Sequence, residues 1–353
     1  MAGRAPRAVT GGGAATGATA GAAAGAGAGP DLPVRAAVLG HPVAHSLSPV
    51  LHRAAYAALG LPSWTYRAID VDEAELPAFL DRVHADNEAG AVRWAGLSLT
   101  MPLKRAVRPL LPAESALAAA VGAVNTVTFG PHGTIGDNTD VAGIVAALAE
   151  AGVVAGQVPG AAILGGGATA TSALAALHRL GCATPTVHAR RIATTAELRA
   201  AAGRLGAAPR ILGFGEADLA GAYDLTGTAG TAGTAGTAGA AGPRVVVSTL
   251  PPAAADTLAE AVTTALCRPG PDGPAVLLDV VYAPWPTALA RRWAAAGGVV
   301  VGGFAMLVHQ AVAQVQLMTG QPGPLAAMRA AGEAELARRS ETVTSPSTRG
   351  SGG

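Results

Sequence analysis

The sequence predicts an α/β protein of two domains with mainly parallel sheets. Its 353 residues exceed the usual span of one compact domain. Short apolar runs alternate with helix-like stretches along most of the chain, which is typical of helices that connect parallel strands. In the second half these runs are short and nearly continuous, as expected for strands covered on both faces of a sheet.

The predicted elements follow in order along the chain. In the first half, strands are predicted at 35–40, 66–71 and 94–100, with helices at 49–59 and 73–83. In the second half, strands are predicted at 161–164, 186–189, 244–248, 275–281 and 298–301, with a last helix at 305–318. The motifs before and after the helix that starts near Thr139 belong to different sites. This divides the chain into a first domain, 33–140, and a second domain, 141–304, with residues 305–330 expected to pack back onto the first.

Three segments are expected to be disordered. Residues 1–32 are rich in Gly and Ala, residues 226–242 repeat Thr-Ala-Gly, and residues 335–353 form a tail rich in Ser, Thr and Gly. Such compositions bury too little apolar surface to offset the entropy of ordering the chain. The repeat has a three-residue period but no collagen-like proline, so it is interpreted as a flexible insertion in the second domain.

The charge composition argues against nucleic acid or a membrane as a partner. The formal net charge is +1 and 13% of the residues are charged. No run reaches the about 20 apolar residues that a membrane span needs. Cys182 and Cys267 have no disulfide or zinc-site spacing, which fits a cytoplasmic protein. A small molecule is the expected partner; a homodimer is compatible with the sequence, which does not determine the oligomeric state.

A glycine-rich turn in the second half indicates a dinucleotide site. The run Gly165-Gly166-Gly167-Ala168-Thr169-Ala170 follows a predicted strand and fits G-x-G-x-x-A, in which glycines let a pyrophosphate approach a helix N-terminus. The next strand ends at Arg190-Arg191. An arginine at this place suits the 2′-phosphate of NADP, whereas an acidic residue would favour NAD. The second domain is therefore predicted to be Rossmann-like and to bind NADP, with two solvated surface arginines as the alternative.

Polar residues at turns of the first domain suggest a substrate site. Ser46 and Ser48 precede a helix and can donate together to a carboxylate, although Ser48 can instead simply cap the helix. Lys104 lies in the first turn of a proline-started helix, where a cation is electrostatically unfavourable and so suggests a chemical role. Asn125 can donate to and accept from a polyol, and Asp140 can accept from a hydroxyl or pair with Lys104. Such a Lys–Asp pair is also common as a plain salt bridge.

Together these motifs resemble the shikimate dehydrogenase (shikimate/quinate dehydrogenase) family over residues 34–320. The similar runs are His45-Ser46-Leu47-Ser48-Pro49, Leu99-Thr100-Met101-Pro102-Leu103-Lys104, Gly122-Ala123-Val124-Asn125-Thr126, Asp137-Asn138-Thr139-Asp140, the turn at Gly165, Val280-Val281-Tyr282, and Gly303-Phe304-Ala305-Met306-Leu307-Val308-His309-Gln310-Ala311. The resemblance implies an NADP-dependent oxidoreductase of the shikimate pathway, which leads to chorismate and the aromatic amino acids. It also implies a cleft between the two domains, where 3-dehydroshikimate and shikimate are interconverted.

The resemblance implies roles for individual residues. Lys104 and Asp140 would be catalytic, with Lys104 exchanging the proton of the substrate hydroxyl. The substrate would be bound by Ser46, Ser48, Thr100, Asn125, Asp140, Tyr282 and Gln310. The cofactor would contact Gly165, Gly166, Gly167, Ala168, Thr169, Arg190, Val280 and Gly303. No metal would take part.

Three positions depart from the family pattern. Ser98 stands where the family's N-V-T run has asparagine, which removes one amide from the substrate wall. The run at Ala189 keeps an arginine but lacks the asparagine of the family's N-R-T or N-R-S signature. Ala305 replaces the second glycine of G-x-G-M-L, which implies a local packing change.

Three other functions fit parts of the sequence. An NAD-dependent quinate/shikimate dehydrogenase differs by one ring hydroxyl and one phosphate, close to two of the departures. A non-catalytic sensor would bind dehydroshikimate or nucleotide without turnover, and the presence of both Lys104 and Asp140 argues against it. A metal-dependent alcohol dehydrogenase would need ligands such as His41, His45 and His52, whose spacing fits no helical face.

Overall fold

The computed structural model describes residues 32–90, 92–158, 160–213, 244–252, 254–260, 262, 267 and 273–344. The segments 1–32 and 226–242, which the sequence predicts to be disordered, lie outside these ranges except for Leu32, and so does the chain after residue 344. Within the described residues no helix is both long and apolar enough to cross a membrane.

The elements alternate between strand and helix over most of the described chain. The strands are β1 Val34–Gly40, β2 Trp64–Asp70, β3 Arg93–Leu99, β4 Ala113–Glu114, β5 Thr126–Gly130, β6 Gly133–Asp137, β7 Ala161–Leu164, β8 Thr186–Ala189, β9 Arg210–Gly213, β10 Val245–Ser248, β11 Val276–Asp279 and β12 Val299–Gly302. The helices are α1 Ser48–Ala58, α2 Leu76–Ala89, α3 Leu103–Ala106, α4 Ala116–Val121, α5 Asp140–Glu150, α6 Ala168–Arg179, α7 Ala196–Leu205, α8 Asp256–Ala259, α9 Ala288–Ala295, α10 Gly303–Thr319 and α11 Leu325–Thr344.

The first sheet is mixed. Its six strands lie in the order β2-β1-β3-β5-β6-β4. β1 pairs in parallel with β2 and β3, and β4 pairs in parallel with β6. β5 runs antiparallel to both β3 and β6. The sequence predicts the three parallel strands β1, β2 and β3 but not β6, because β6 is a glycine-containing, half-exposed segment without an apolar run.

The second sheet is entirely parallel and confirms the predicted Rossmann-like architecture. Its order is β12-β11-β10-β7-β8-β9. Counted from β7, this is the order 3-2-1-4-5-6, in which successive strands are added outward on either side of β7 and β10. Ligands bind such sheets at the carboxyl ends of the strands where the order reverses. The end of β7 leads directly into the glycine turn at Gly165.

The last two helices pack against the first helix of the chain. Val308, Ala311 and Val315 of α10 form a buried cluster with Leu51 of α1 and Met328 of α11. The division into two domains with this packing stays a prediction. This buried cluster places the two carboxyl-terminal helices α10 and α11 against α1.

The predicted disordered tail from residue 335 is wrong for residues 335–344, because α11 continues to Thr344. Gly332 has no side chain, which lets α11 lie close against Phe304 and Leu51. One turn further on, Glu335 pairs with Arg338 and Arg339 at the helical spacings i, i+3 and i, i+4. Such pairs stabilise a helix whose composition alone is poor in apolar residues.

Candidate active site

A cleft of about 300 Å³ brings together most of the polar residues predicted from the sequence. It is lined by Val38, Pro42, Val43, His45, Ser46, Ser48, Ser98, Leu99, Thr100, Lys104, Asn125, Asp140, Thr169, Val280, Tyr282, Gly303, Met306, Leu307, Gln310 and Gln314. All of the predicted substrate-binding residues line it. Of the predicted cofactor contacts, Thr169, Val280 and Gly303 line it. The cleft therefore lies where the edge of the first sheet faces the carboxyl ends of β7 and β11.

A buried ion pair stands on one wall of the cleft. Lys104 Nζ donates to Asp140 Oδ2 over 2.5 Å, and the two side chains are 14% and 5% exposed. Lys104 is positioned by the short helix α3 that follows β3, and Asp140 is the first residue of α5. A lysine side chain can release and take up a proton. The ionised carboxylate of Asp140 has no proton to donate, so its part is to hold the lysine in place. The arrangement is suited to moving a proton at Lys104 Nζ.

Asn125 fixes the other oxygen of this carboxylate. Its Oδ1 accepts from the backbone N–H of Thr139 at 2.7 Å and from Thr126 Oγ1 at 2.8 Å. These two donors determine which end of the amide is the oxygen. Asn125 Nδ2 then donates to Asp140 Oδ1 at 2.8 Å and to Gln310 Oε1 at 3.3 Å. The Asp140 carboxylate is thus held from two sides, by an ammonium and by an oriented amide.

The sequence analysis did not identify Tyr66 and Gln314 as part of the site. Tyr66 Oη donates to Ser98 Oγ at 2.6 Å, and Ser98 Oγ donates to Gln314 Oε1 at 2.8 Å. Gln314 Nε2 continues to Thr126 Oγ1 at 3.0 Å and to the carbonyl of Asn125 at 3.3 Å. Burial raises the pKa of the Tyr66 phenol, so it acts as a neutral donor. An uninterrupted chain of hydrogen bonds therefore runs along the cleft wall to the amide that holds Asp140.

A sequence signal for Gln314 does exist. Gln310 and Gln314 are four residues apart, which places both side chains on one face of α10. Glutamine is seldom buried without partners, and both of these are buried. Two glutamines at helical spacing in a mainly apolar helix indicate a polar site on that face.

The two serines lie at the start of α1. Ser48 is the first residue of the helix and is buried, while Ser46 Oγ accepts from the Ser48 backbone N–H at 3.2 Å. The residue in the cap position is Leu47, so the interpretation of Ser48 as a helix cap is wrong. Tyr282 lies nearby; burial raises the pKa of its phenol, while the charge of Arg339 and a hydrogen bond from the Leu47 backbone oppose this. This end of the cleft offers hydroxyl donors.

The glycine turn is shaped to admit a large anionic group. Gly165 has φ +118°, and a side chain there would collide with Thr249. Gly167 occupies the cap position of α6 with no side-chain cap, and a Cβ added to it would meet nothing within 4 Å. The first N–H groups of α6 therefore have no side-chain cap from Gly167, and such groups can donate to a phosphate. A Cβ on Gly166 would lie 3.5 Å from Ala189, which precedes the exposed Arg190.

The histidines considered as metal ligands have different surroundings. His41 is exposed and its Nδ1 lies 2.5 Å from Asp70 Oδ1. His52 is fully buried, shares a hydrogen bond with the Ser48 carbonyl and stacks on Tyr66 with ring centroids 3.9 Å apart. Burial lowers the pKa of His52 to about 4. In the part of the chain that the structure describes, no group of three His, Cys, Asp or Glu residues could hold a metal ion.

A Rossmann-like sheet with a glycine turn, next to a cleft that holds a Lys–Asp pair, defines the class of nicotinamide-dependent dehydrogenases. Comparison with known proteins is more specific. The model of the shikimate dehydrogenase substrate binding domain matches residues 38–127, and that of the shikimate 5'-dehydrogenase C-terminal domain matches residues 303–331. The chain is 36% identical over 309 residues to shikimate dehydrogenase (NADP(+)) of Halobacterium salinarum, covering 85% of this chain and 98% of that protein.

Solved structures agree with these matches. The crystal structure of Mycobacterium tuberculosis shikimate dehydrogenase is 39% identical, with a TM-score of 0.69, and the match covers 85% of this chain and 100% of that one. Shikimate 5-dehydrogenase from Thermus thermophilus, in complex with NADP(H) and shikimate, is 30% identical, with a TM-score of 0.62 and coverage of 85% and 99%. The chain belongs to the shikimate dehydrogenase family, which confirms the resemblance seen in the sequence.

Proposed function

We propose that this chain is an NADP-dependent shikimate dehydrogenase, an oxidoreductase that reversibly reduces 3-dehydroshikimate to shikimate in the pathway to chorismate. The observation that carries the proposal is the buried Lys104–Asp140 pair in a cleft shared with the end of the Rossmann-like sheet. A proton-transfer group beside a nucleotide site is what the oxidation of an alcohol to a ketone requires.

The substrate ring is held by polar groups from several elements. Its carboxylate accepts from Ser46 and Ser48 at the start of α1, and its hydroxyls contact the remaining polar residues of the wall, Thr100, Asn125, Asp140, Tyr282 and Gln310. The apolar side chains of Met306 and Leu307 lie on the same cleft and help to exclude water from the reacting carbon.

Lys104 carries the proton. In the direction of oxidation the neutral amine of Lys104 accepts the proton of the substrate hydroxyl and becomes an ammonium, and in the direction of reduction that ammonium returns the proton to the carbonyl oxygen. Asp140 holds the ammonium at this place and compensates its charge in the buried site. Asn125 keeps Asp140 oriented through the second carboxylate oxygen.

The residues around the glycine turn fit NADP. Gly165, Gly166, Gly167, Ala168 and Thr169 would hold the pyrophosphate, Arg190 the 2′-phosphate, and Val280 and Gly303 the nicotinamide end. Bound NADP supplies or accepts the hydride that completes the reaction. A side chain at Gly303 would collide with the backbone of Val280, so glycine is what lets α10 begin so close to the end of β11. A homodimer stays a prediction for the assembly, and light scattering would measure it.

The test is a two-by-two kinetic comparison of shikimate and quinate with NADP and NAD, in which the rates are measured by absorbance at 340 nm. The proposal expects the highest kcat/KM for shikimate with NADP. A preference for NAD, or for quinate, would replace it with the NAD-dependent quinate/shikimate dehydrogenase. No absorbance change at high enzyme concentration, together with bound shikimate, would identify a non-catalytic sensor.

A further inference from the structure

The charges that line the cleft leave the carboxylate end without a direct counter-ion. Of the lining residues that the structure describes, all except Lys104 are neither lysine nor arginine. The Lys104 ammonium is already paired with Asp140. Ser46 and Ser48 offer neutral hydroxyl groups. Moving a carboxylate from water into such a site is costly unless a positive charge lies close by. The site as lined is therefore electrostatically incomplete for the anion that the proposed function requires.

Arg339 of α11 contacts the backbone of the loop that carries the two serines. Its Nη1 donates to the carbonyl of His45, the residue before Ser46, at 2.8 Å. Its Nε donates to Glu335 Oε1 at 2.7 Å, so both ends of the planar guanidinium are anchored. The side chain is 31% exposed. Arg339 lies beyond residues 303–331, the range matched by the family's C-terminal domain model.

The charge of Arg339 is not cancelled by its partner. Glu335 is shared between Arg338 and Arg339, so two cations face one carboxylate. These arginines lower the pKa of Glu335 to about 2, which keeps the carboxylate ionised. The field of Arg339 also reaches the cleft, since it lowers the pKa of the Tyr282 phenol against the effect of burial.

We propose that Arg339 is a positioning residue for the substrate carboxylate, which holds the backbone of the serine loop and supplies the positive potential that the loop lacks. The inference rests on the proposed function, since it takes a carboxylated ring as the substrate. The proposal gives α11 a role in substrate affinity, although the composition of residues 335–353 predicts a disordered tail.

The test compares Arg339→Gln, Arg339→Lys and Arg338→Gln. Arg338 is the matched control, because it lies on the same helix and its guanidinium donates to the same Glu335, but the side chain is 65% exposed. With saturating NADP, Arg339→Gln should raise the KM for shikimate by about ten-fold while kcat changes by less than about two-fold, as expected when binding is lost equally in the ground and transition states. Arg339→Lys should recover part of the loss, and Arg338→Gln should behave as the wild type.

The methyl ester of shikimate separates charge from loop structure. The wild type should bind shikimate more tightly than its uncharged ester, and Arg339→Gln should lose most of that preference. Equal weakening toward acid and ester would reduce Arg339 to a structural support and overturn the proposal. An unchanged KM in Arg339→Gln, or the same rise in Arg338→Gln, would overturn it too.

Calorimetric titration with shikimate alone tests the role of Arg339 in binding separately from the proposed catalytic function. Weaker binding to Arg339→Gln than to the wild type supports the role of Arg339 even if the wild type shows no turnover. Turnover by the wild type with equal shikimate affinity in both proteins would keep the proposed function and reject the role of Arg339. If the wild type binds no shikimate, both proposals fail.

Discussion

Ser98 and Gln314 are 216 residues apart in the chain, and Ser98 Oγ donates a 2.8 Å hydrogen bond to Gln314 Oε1 at the cleft wall. The family pattern places an asparagine at position 98; in this chain position 98 carries a hydroxyl, and the amide in contact with it is that of Gln314 in α10. Because Ser98 gives its single proton to Gln314 and accepts from Tyr66, its hydroxyl can only accept from a substrate. This side of the cleft therefore selects for a donating hydroxyl group.

Replacing Gln314 by leucine tests this arrangement. The change removes the acceptor of the Ser98 hydroxyl proton and one donor to Thr126 Oγ1 in a buried wall. A buried donor left unsatisfied costs on the order of 1–3 kcal/mol. We expect kcat/KM for shikimate to fall by about 10- to 100-fold. Gln316→Leu is the matched control, since Gln316 is exposed on the same helix. Combining Ser98→Asn with Gln314→Ala should recover part of the activity lost in Gln314→Ala alone, and the absence of any recovery would argue that the two positions do not substitute for each other.

Lys104→Ala should separate chemistry from binding. Loss of a positioned proton-transfer group typically lowers turnover by about 10²- to 10⁴-fold. The proposed substrate contacts of Ser46, Asn125 and Gln310 would remain, so calorimetry should still detect bound shikimate. Initial rates at 340 nm measure kcat for the variant and the wild type. Near-normal turnover in Lys104→Ala would remove this residue from the mechanism and leave its pair with Asp140 as a salt bridge.

The fold was predictable where local pattern and tertiary structure agree. The predicted strands 161–164 and 186–189 coincide with β7 and β8, because short apolar runs bounded by turn residues are buried on both faces. β6 and β9 were not predicted because they are half-exposed and carry no such run. The stability of α11 depends on contacts with α1 and α10 that its composition does not reveal.

The polar residues of the cleft divide in the same way. Ser46, Thr100, Asp140 and Tyr282 line the cleft because each follows a strand or begins a helix, whereas Asn125 directly precedes β5 and Gln310 lies within α10. Gln314 and Arg339 act through partners more than 200 residues distant, Ser98 and His45. No local pattern encodes these partners: the spacing from Gln310 could have indicated a polar role for Gln314, but its contact with Ser98, and that of Arg339 with His45, depend on the packing of the last two helices.

Arg190→Ala should alter the choice of cofactor. Arg190 is exposed at the end of β8, beside the glycine turn, where a guanidinium can bind the 2′-phosphate in a bidentate manner. We expect the KM for NADP to rise by about ten-fold or more while that for NAD changes little. Arg191→Ala serves as the control, since Arg191 is the next residue and its side chain is also exposed. Equal losses for both cofactors in Arg190→Ala would move the phosphate contact to Arg191 or elsewhere.

The buried His52 should make the protein less stable in acid. Its pKa is lowered from 6.5 to about 4 because burial disfavours the charged ring. Between these values the unfolded chain binds a proton that the folded chain does not, so the free energy of unfolding falls as the pH drops from 6.5 towards 4. The contribution is about 1.4 kcal/mol per pH unit, or about 3 kcal/mol over the whole interval.

His52→Leu removes this titration, so the loss of stability between pH 6.5 and 4 should become smaller by that amount. Urea unfolding at a series of pH values measures it. His41→Gln is the control: Asp70 raises the pKa of the exposed His41, so its contribution is complete below pH 6.5 and is lost at higher pH. His41→Gln should therefore leave the acid slope in place. An acid slope equal in His52→Leu and the wild type would mean that the ring of His52 is hydrated or repartnered when the protein is folded.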